Sequence, residues 1–146
     1  EFIIIGDGGM INKLKNENLY KGNKNVKILK PMNRKKLIKY YQKSDILFLH
    51  LNNFETFKYN LPSKIYEYSV FNKPVLAGIE GYSKKYFIKN FNNFFFFKSG
   101  NVAECNKVLN KMINLRQNFK VNKTLYRKNI MNKYALHIMD IIENSN

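Results

Sequence analysis

The stretch LPSKIYEYSVFNKPVLAG, residues 61–78, contains the pattern that decides the fold. Its Leu-Pro-Ser opening is typical of a helix start, because proline is preorganised for a first helical turn and has no N–H to leave unpaired. We therefore predict a helix from Leu61 to about Phe71. The apolar run Val75–Gly78, which follows Pro74, predicts a strand that is buried on both faces. A helix followed at once by a buried strand is typical of an α/β fold.

Similar alternation extends in both directions from this stretch. Further strands are predicted at Phe2–Ile5, Val26–Leu29, residues 45–51 and Phe94–Phe97, and further helices at residues 10–19, 34–42, 82–91, 101–115 and 122–143. Residues 6–9 are predicted to form a turn whose glycines permit positive φ and close backbone approach, and residues 52–60 a polar loop. The order predicts one Rossmann-like domain over residues 1–146, a doubly wound parallel sheet with ligands beyond the carboxyl ends of its strands.

The composition limits which binding partners and which cellular compartment we expect. The chain has 26 Lys and Arg against 10 Asp and Glu, a net charge of +16. Because the lysines are scattered among asparagines and form no basic-aromatic motif, we expect no nucleic-acid partner. An anionic membrane is a candidate partner, whose headgroups the lysines of residues 82–91 would contact. No apolar run approaches the roughly 20 residues that span a bilayer. The single Cys105 fits a reducing compartment, so we expect a cytoplasmic protein.

Three residues of the quoted stretch suit a ribose diphosphate. Helical spacing places Ser63, Lys64 and Glu67 close together on the first turns. Unpaired amides at a helix start attract phosphate, a hydroxyl and an ammonium add contacts, and a carboxylate one turn later can accept hydrogen bonds from sugar hydroxyls. On spacing alone a structural role is commoner: Ser63 then caps the helix, Lys64 is solvated, and Glu67 pairs with a nearby lysine.

The same stretch resembles the signature of glycosyltransferase family 4. Glu67, Asn72, Pro74 and Val75 stand in register with that signature, in which a Glu, a run of small residues and a turn precede Pro-Val and a strand. The segments 3–8, 25–29 and 44–47 resemble other parts of the family in order and spacing. The sequence of residues 61–68 and 72–82 is also similar to that of bacterial surface-polysaccharide enzymes, which include fucosamine transferases.

The resemblance implies the donor-binding, C-terminal half of a GT-B enzyme. It implies retaining transfer of a sugar from a nucleoside diphosphate, with a UDP-sugar as the expected donor, to a saccharide or undecaprenyl-linked acceptor in O-antigen or capsule assembly. It implies no cofactor and no metal. Since the strand Phe2–Ile5 needs a neighbour on each side, we expect at least one neighbouring strand in sequence missing before residue 1. The resemblance implies that the acceptor half is missing there, and that residues 122–143 pack toward it.

The resemblance also assigns roles to residues. Ser63 and Lys64 are expected to stabilise the departing diphosphate, and Glu67 to hold the ribose. The expected donor-binding residues are Gly6, Asp7, Gly8, Lys30, Tyr59, Asn60, Leu61, Pro62, Ser63, Lys64 and Glu67. One departure concerns the donor sugar, because Tyr59 stands where the family carries a Glu eight positions before Glu67. Glu55, Asn60 or the backbone amides of Leu61 and Ser63 can take that role.

Overall fold

The computed structural model describes residues 1–17, 22, 24–115, 119, 123 and 126–144. The chain divides into two compact units, Glu1–Gln42 and Lys43–Asn146. Strands in both units are parallel and alternate with helices along the chain, which confirms the predicted Rossmann-like α/β fold. The strands form two sheets, a two-stranded sheet in the first unit and a three-stranded sheet in the second.

The first unit contains strands β1 (Phe2–Ile5) and β2 (Val26–Leu29), which pair in parallel so that Phe2 lies opposite Val26. Helix α1 (Ile11–Asn16) is shorter than the predicted helix of residues 10–19, of which Leu19 lies outside the described residues. Helix α2 (Arg34–Lys43) confirms the predicted helix of residues 34–42 and ends one residue beyond the unit.

The second unit is built on strands β3 (Leu47–His50), β4 (Val75–Gly78) and β5 (Phe94–Phe97), in that order. All four residues of β4 are buried, as expected for the middle strand of a sheet covered by helices. A Cβ on Gly78 would lie 2.5 Å from the His50 ring and from the Phe97 ring, so only glycine fits there. Leu76, Phe97 and Met112 form a buried cluster between the sheet and a flanking helix.

The helices of the second unit are α3 (Lys64–Tyr68), α4 (Gly81–Asn90), α5 (Val102–Ile113) and α6 (Arg127–Glu143). Helices α4 and α5 confirm the predicted helices of residues 82–91 and 101–115. Of the predicted final helix, residues 122, 124 and 125 lie outside the described residues. Among the helices that the structure describes, none combines the length and the apolar character needed to cross a bilayer.

The segment between β3 and β4 differs from its prediction in two places. The predicted polar loop of residues 52–60 contains a 3₁₀ helix at Glu55–Tyr59. The predicted helix Leu61–Phe71 is reduced to the five residues of α3. The Ile65 and Tyr66 amides donate to the carbonyls of Pro62 and Ser63, three residues back, at 3.2 and 3.1 Å. Bonds of that spacing form a tight turn and not an α-helical one, so α3 starts only at Lys64.

Helix α6 exposes apolar side chains. Seven of them are each more than half exposed: Met131, Tyr134, Leu136, Ile138, Met139, Ile141 and Ile142. The apolar residues predicted for one side of this helix lie on it wherever the structure describes them, whereas the predicted Leu125 lies outside the described residues. Burial of such a side chain would contribute about 1.5–3 kcal/mol. A helix with this much exposed apolar area is typical of an interaction surface.

Candidate functional site

The carboxyl ends of β3, β4 and β5 meet at one edge of the second sheet, where parallel α/β folds bind ligands. A small, open depression lies at this edge. It is lined by residues of the segment after β3, of the 3₁₀ helix and of the loops after β4 and β5: Leu51, Asn52, Asn53, Phe54, Phe57, Lys58, Glu80 and Ser99. Amides, one cation, one carboxylate and two aromatic rings therefore converge at this point.

The segment of residues 52–60 is packed against the start of α4. Gly81, the first residue of α4, has φ of +65°, and a Cβ there would overlap the backbone of Lys58. The fully buried hydroxyl of Ser83 donates a hydrogen bond to the Asn60 carbonyl. Helix α4 therefore contacts residues 52–60 at two points that only a small residue and a hydroxyl can provide.

The loop between β5 and α5 is also held at this edge. The Ser99 hydroxyl donates to the Gly78 carbonyl at 3.0 Å, and the Gly100 N–H donates to Nε2 of His50 at 3.2 Å. The Asn101 side chain caps α5 by accepting from the Glu104 amide at 3.0 Å. These contacts fix the end of β5 against the ends of β3 and β4.

His50 acts here as a neutral acceptor. Its ring stacks with Phe48 and Phe97 at centroid distances of 6.2 and 5.9 Å. Partial burial among these rings lowers the pKa of His50 below its ordinary value of 6.5, because burial disfavours the charged imidazolium. Since Nε2 accepts the Gly100 N–H, the neutral tautomer present carries its proton on Nδ1. The structure therefore gives His50 a role in holding the loop after β5.

We expect the second unit to lose stability as the pH falls from about 7 to 5. The pKa of His50 is depressed on folding, so its contribution is complete above the unfolded-state pKa and is lost as the pH falls through the folded-state pKa. Protonation also places two donors face to face at Gly100. Chemical denaturation between pH 5 and 8 should show a smaller pH dependence for His50→Gln. His137→Gln, on the exposed face of α6, is the control, and an equal effect of both variants would contradict this role.

Helix α3 has a buried and an exposed side. Ile65 and Tyr68 are buried, and the Tyr68 hydroxyl donates to the Phe48 carbonyl of β3 at 3.2 Å. Lys64 and Glu67 lie on the other side, where Lys64 Nζ is 3.5 Å from Glu67 Oε2 and the two side chains are 49% and 35% exposed. The packing of α3 on β3 thus presents an ammonium and a carboxylate side by side to solvent, as the helical spacing predicts.

The remaining predicted residues of this segment surround α3. Tyr59 is 75% exposed at the end of the 3₁₀ helix, and Asn60 is exposed with its carbonyl bound to Ser83. Glu55 pairs with Lys58 at 2.7 Å. That pair, with a weaker effect of Glu80, raises the pKa of the Lys58 ammonium. The exposed Ser63 makes no side-chain capping hydrogen bond, so this part of the predicted structural alternative is wrong. The pairing of Glu67 with a nearby lysine, which the same alternative predicted, is present as the contact with Lys64.

The predicted residues of the first unit lie at the carboxyl edge of its two-stranded sheet. Gly6, Asp7 and Gly8 follow β1, and Lys30 follows β2. The Gly6 amide donates to the Leu29 carbonyl at 3.1 Å, which places the two loops side by side. These glycines do not use the positive φ that glycine permits, since among the described glycines only Gly81 and Gly100 have positive φ. A Cβ on Gly6 or Gly8 would meet nothing within 4 Å, so their backbone is openly accessible.

Within the described residues, no group of three or more His, Cys, Asp or Glu side chains is arranged to hold a metal ion. The polar groups at the two sheet edges are instead amides, hydroxyls, lysines and single carboxylates. These groups bind phosphates and sugar hydroxyls through hydrogen bonds and charge.

A family model described as "Glycosyl transferases group 1" matches residues 1–134. The chain belongs to this family. Group 1 glycosyltransferases transfer a sugar, so the family implies a nucleotide-sugar donor and an acceptor. No curated protein and no solved structure matches the chain. The family match confirms the glycosyltransferase resemblance and does not extend to the narrower fucosamine-transferase resemblance.

Several residues of this edge in the group 1 glycosyltransferase were missed by sequence reasoning. Gly81 and Ser83 contact residues 52–60, and Glu80, Lys58 and Ser99 line the depression, which none of the predicted donor-binding residues lines. The sequence carried a signal for Glu80 and Gly81, because they follow the predicted strand Val75–Gly78 after one intervening residue and therefore lie near the carboxyl edge where ligands bind. His50 was judged structural from the sequence, and its hydrogen bond with Gly100 agrees with that interpretation.

Proposed function

We propose that the protein transfers a sugar, with retention of anomeric configuration, from a UDP-sugar to an acceptor hydroxyl. The observation that carries the proposal is the pairing of Lys64 with Glu67 on the exposed side of α3, in a chain of the group 1 family. Lys64 and Ser63 stabilise the departing diphosphate, and Glu67 holds the ribose. The 3.5 Å separation is long for a hydrogen bond, so a ligand can replace this contact at little cost.

Charge on the departing diphosphate is the main barrier to this reaction, and fixed cations and donors lower it. The sequence predicted that the amide end of a long helix would supply much of the stabilisation of the diphosphate. Because α3 has only five residues, its dipole is small, and the stabilisation falls mainly to the Lys64 ammonium. Ser63, with an exposed and uncapped hydroxyl, adds a donor beside it.

For the first unit, taken by itself, we propose that the loop Gly6-Asp7-Gly8 and Lys30 bind the nucleotide, because the backbone of the two glycines is open to close approach. Tyr59, Asn60, Leu61 and Pro62 belong to the proposed sugar side of the site. Glu55 is already paired with Lys58, which favours Tyr59 and Asn60 over Glu55 as the groups that replace the family's first Glu.

The acceptor is proposed to be a saccharide or an undecaprenyl-linked sugar of bacterial surface-polysaccharide assembly, at the cytoplasmic face of the membrane. The similarity of residues 61–68 and 72–82 to enzymes of that class supports this proposal. We further propose that α6 packs on an acceptor-binding domain, since its apolar residues are exposed and a cleft between two domains would shield the reaction from water. Peripheral membrane contact through the lysines of α4 is part of the same proposal.

The test is to titrate the complete protein with UDP by calorimetry and then to assay transfer from a panel of UDP-sugars. We expect saturable UDP binding and transfer from one donor of the panel, with the product anomer identified by NMR. The net charge of +16 supports one competing function, a basic module that binds nucleic acid or anionic membrane without catalysis. Salt-sensitive binding to DNA or anionic vesicles, with no response to UDP or any UDP-sugar, would support that function and reject the proposed transfer from a UDP-sugar.

A further inference from the structure

We propose that Ser83 is a positioning residue that holds the donor loop, residues 52–60, in place for binding of the nucleotide sugar. This inference rests on the proposed function, because it assumes that the loop and the residues directly after it contact the donor. Ser83 itself is fully buried and touches no donor. It acts through Asn60, whose carbonyl accepts the hydrogen bond of the Ser83 hydroxyl.

The donor loop is fixed at its start by the sheet. The amide of Leu51 donates to the Gly78 carbonyl at 3.0 Å, which continues the β3–β4 ladder by one residue. Inside the loop, the contacts are local. Lys58 pairs with Glu55, the ring of Phe54 lies against that of Phe57, and the Asn60 amide donates to the Phe57 carbonyl at 3.4 Å. Local contacts shape the 3₁₀ helix and do not attach it to the sheet.

The end of the loop is attached through α4. The hydrogen bond from Ser83 joins Asn60 to a residue 23 positions further along the chain. Asn60 directly precedes Leu61, Pro62 and Ser63, so the same bond sets where Lys64 begins α3. The 3₁₀ helix also contacts α4 where Gly81 approaches Lys58, and α3 packs on β3, so the Ser83 bond fixes the last residues of the loop and not the whole of it. Without this bond, the residues around Asn60 would sample more conformations, and a donor would have to order them on binding.

The burial of the polar Ser83 side chain supports a specific role for its hydroxyl. Ser83 occupies the inner side of α4 beside Phe87, which is also fully buried, and an apolar residue would pack there without the need for a partner. The hydroxyl has its partner only because Asn60 is held at the right position. The close approach of Gly81 to Lys58 brings the same two segments together two residues earlier in each.

The experiment measures transfer kinetics of the complete protein with Ser83→Ala. We expect the KM for the UDP-sugar to rise roughly fivefold to tenfold, the effect of losing one buried hydrogen bond, while the KM for the acceptor changes less than about twofold. Amide hydrogen exchange of residues 54–60 should become faster in this variant, whereas exchange of β3, β4 and β5 should remain slow. A purely structural role would change both KM values or neither.

Asn93→Ala is the matched control. The buried Asn93 side chain donates to the Lys73 carbonyl, 20 positions away, at 2.8 Å, and both residues precede strands at the opposite, amino edge of the sheet. The control should lower stability to a similar degree and leave the donor KM within about twofold of wild type. A donor KM in Ser83→Ala equal to wild type, or raised equally in Asn93→Ala, would overturn the inference.

Failure of the proposed function gives a different result. If the wild-type protein shows neither UDP binding nor transfer, the transferase proposal fails, and the exchange rates still decide whether Ser83 holds residues 52–60. If wild type is active and loop exchange is the same in Ser83→Ala, the positioning role alone is rejected.

Discussion

Replacing Lys64 with methionine is expected to lower kcat for sugar transfer by about a hundredfold or more, the usual effect of removing one group that stabilises charge in the transition state. Methionine keeps an unbranched apolar chain of similar length and removes the ammonium. Lys64 lies on the exposed side of α3, so the substitution disturbs no core packing. Steady-state kinetics with the donor identified from the UDP-sugar panel measure this effect.

Glu67→Gln should act on donor binding more than on kcat. Loss of a charged acceptor for ribose hydroxyls costs about 1.5–3 kcal/mol, which raises the donor KM by roughly tenfold or more. Because Lys64 and Glu67 are in contact, the double variant should deviate from the sum of the two single effects.

Lys111→Met is the control for both variants, because Lys111 is an exposed lysine on α5 and has no proposed role in the site. It makes the same change in net charge as Lys64→Met, so it reports any general effect of charge on binding of an anionic donor. Turnover within twofold of wild type for both Lys64→Met and Glu67→Gln would remove α3 from the donor site.

Gly81→Ala is expected to lower the free energy of unfolding of the second unit by about 3 kcal/mol, from two additive causes. The φ of +65° costs an alanine about 1 kcal/mol or more. The added methyl group also overlaps the Lys58 backbone, so the 3₁₀ helix must move away from α4. Because backbone cannot rotate aside as a side chain can, this second cost is not relieved locally. Chemical denaturation of wild type and variant measures the sum.

Gly100→Ala separates the two causes. Gly100 has a similar φ of +78°, but a Cβ there would meet nothing within 4 Å. This control should therefore lose only about 1 kcal/mol. Equal losses in the two variants would mean that the contact between Gly81 and Lys58 contributes nothing. A larger loss in Gly81→Ala, together with faster hydrogen exchange of residues 54–60, would locate the difference at the donor loop.

The strands that were predicted well share one property. Strands β4 and β5 are unbroken apolar runs because helices cover both faces of a parallel sheet, and such a run can be recognised without knowing its neighbours. Helices α4 and α5 were likewise recognisable. The face shared by Lys64 and Glu67 followed from helical spacing alone.

The errors lie between β3 and β4, where local patterns compete. The Leu-Pro-Ser start predicted a helix of more than two turns, but Pro62 and Ser63 close tight turns and α3 begins later. The 3₁₀ helix Glu55–Tyr59 was not predicted, because its sequence carries no apolar periodicity. The position of Gly6 and Gly8 after β1 was correct, and neither glycine uses positive φ.

The amino-acid sequence by itself determined the α/β class, the order of the strands along the chain and the residues that share the exposed side of α3, because these depend on the side-chain period within each element. Only the tertiary structure decided that Ser83 holds Asn60, that Gly81 meets Lys58 and that His50 accepts from Gly100. These contacts join residues 23 to 50 positions apart, and their geometry is fixed by packing of whole elements, which no local pattern encodes.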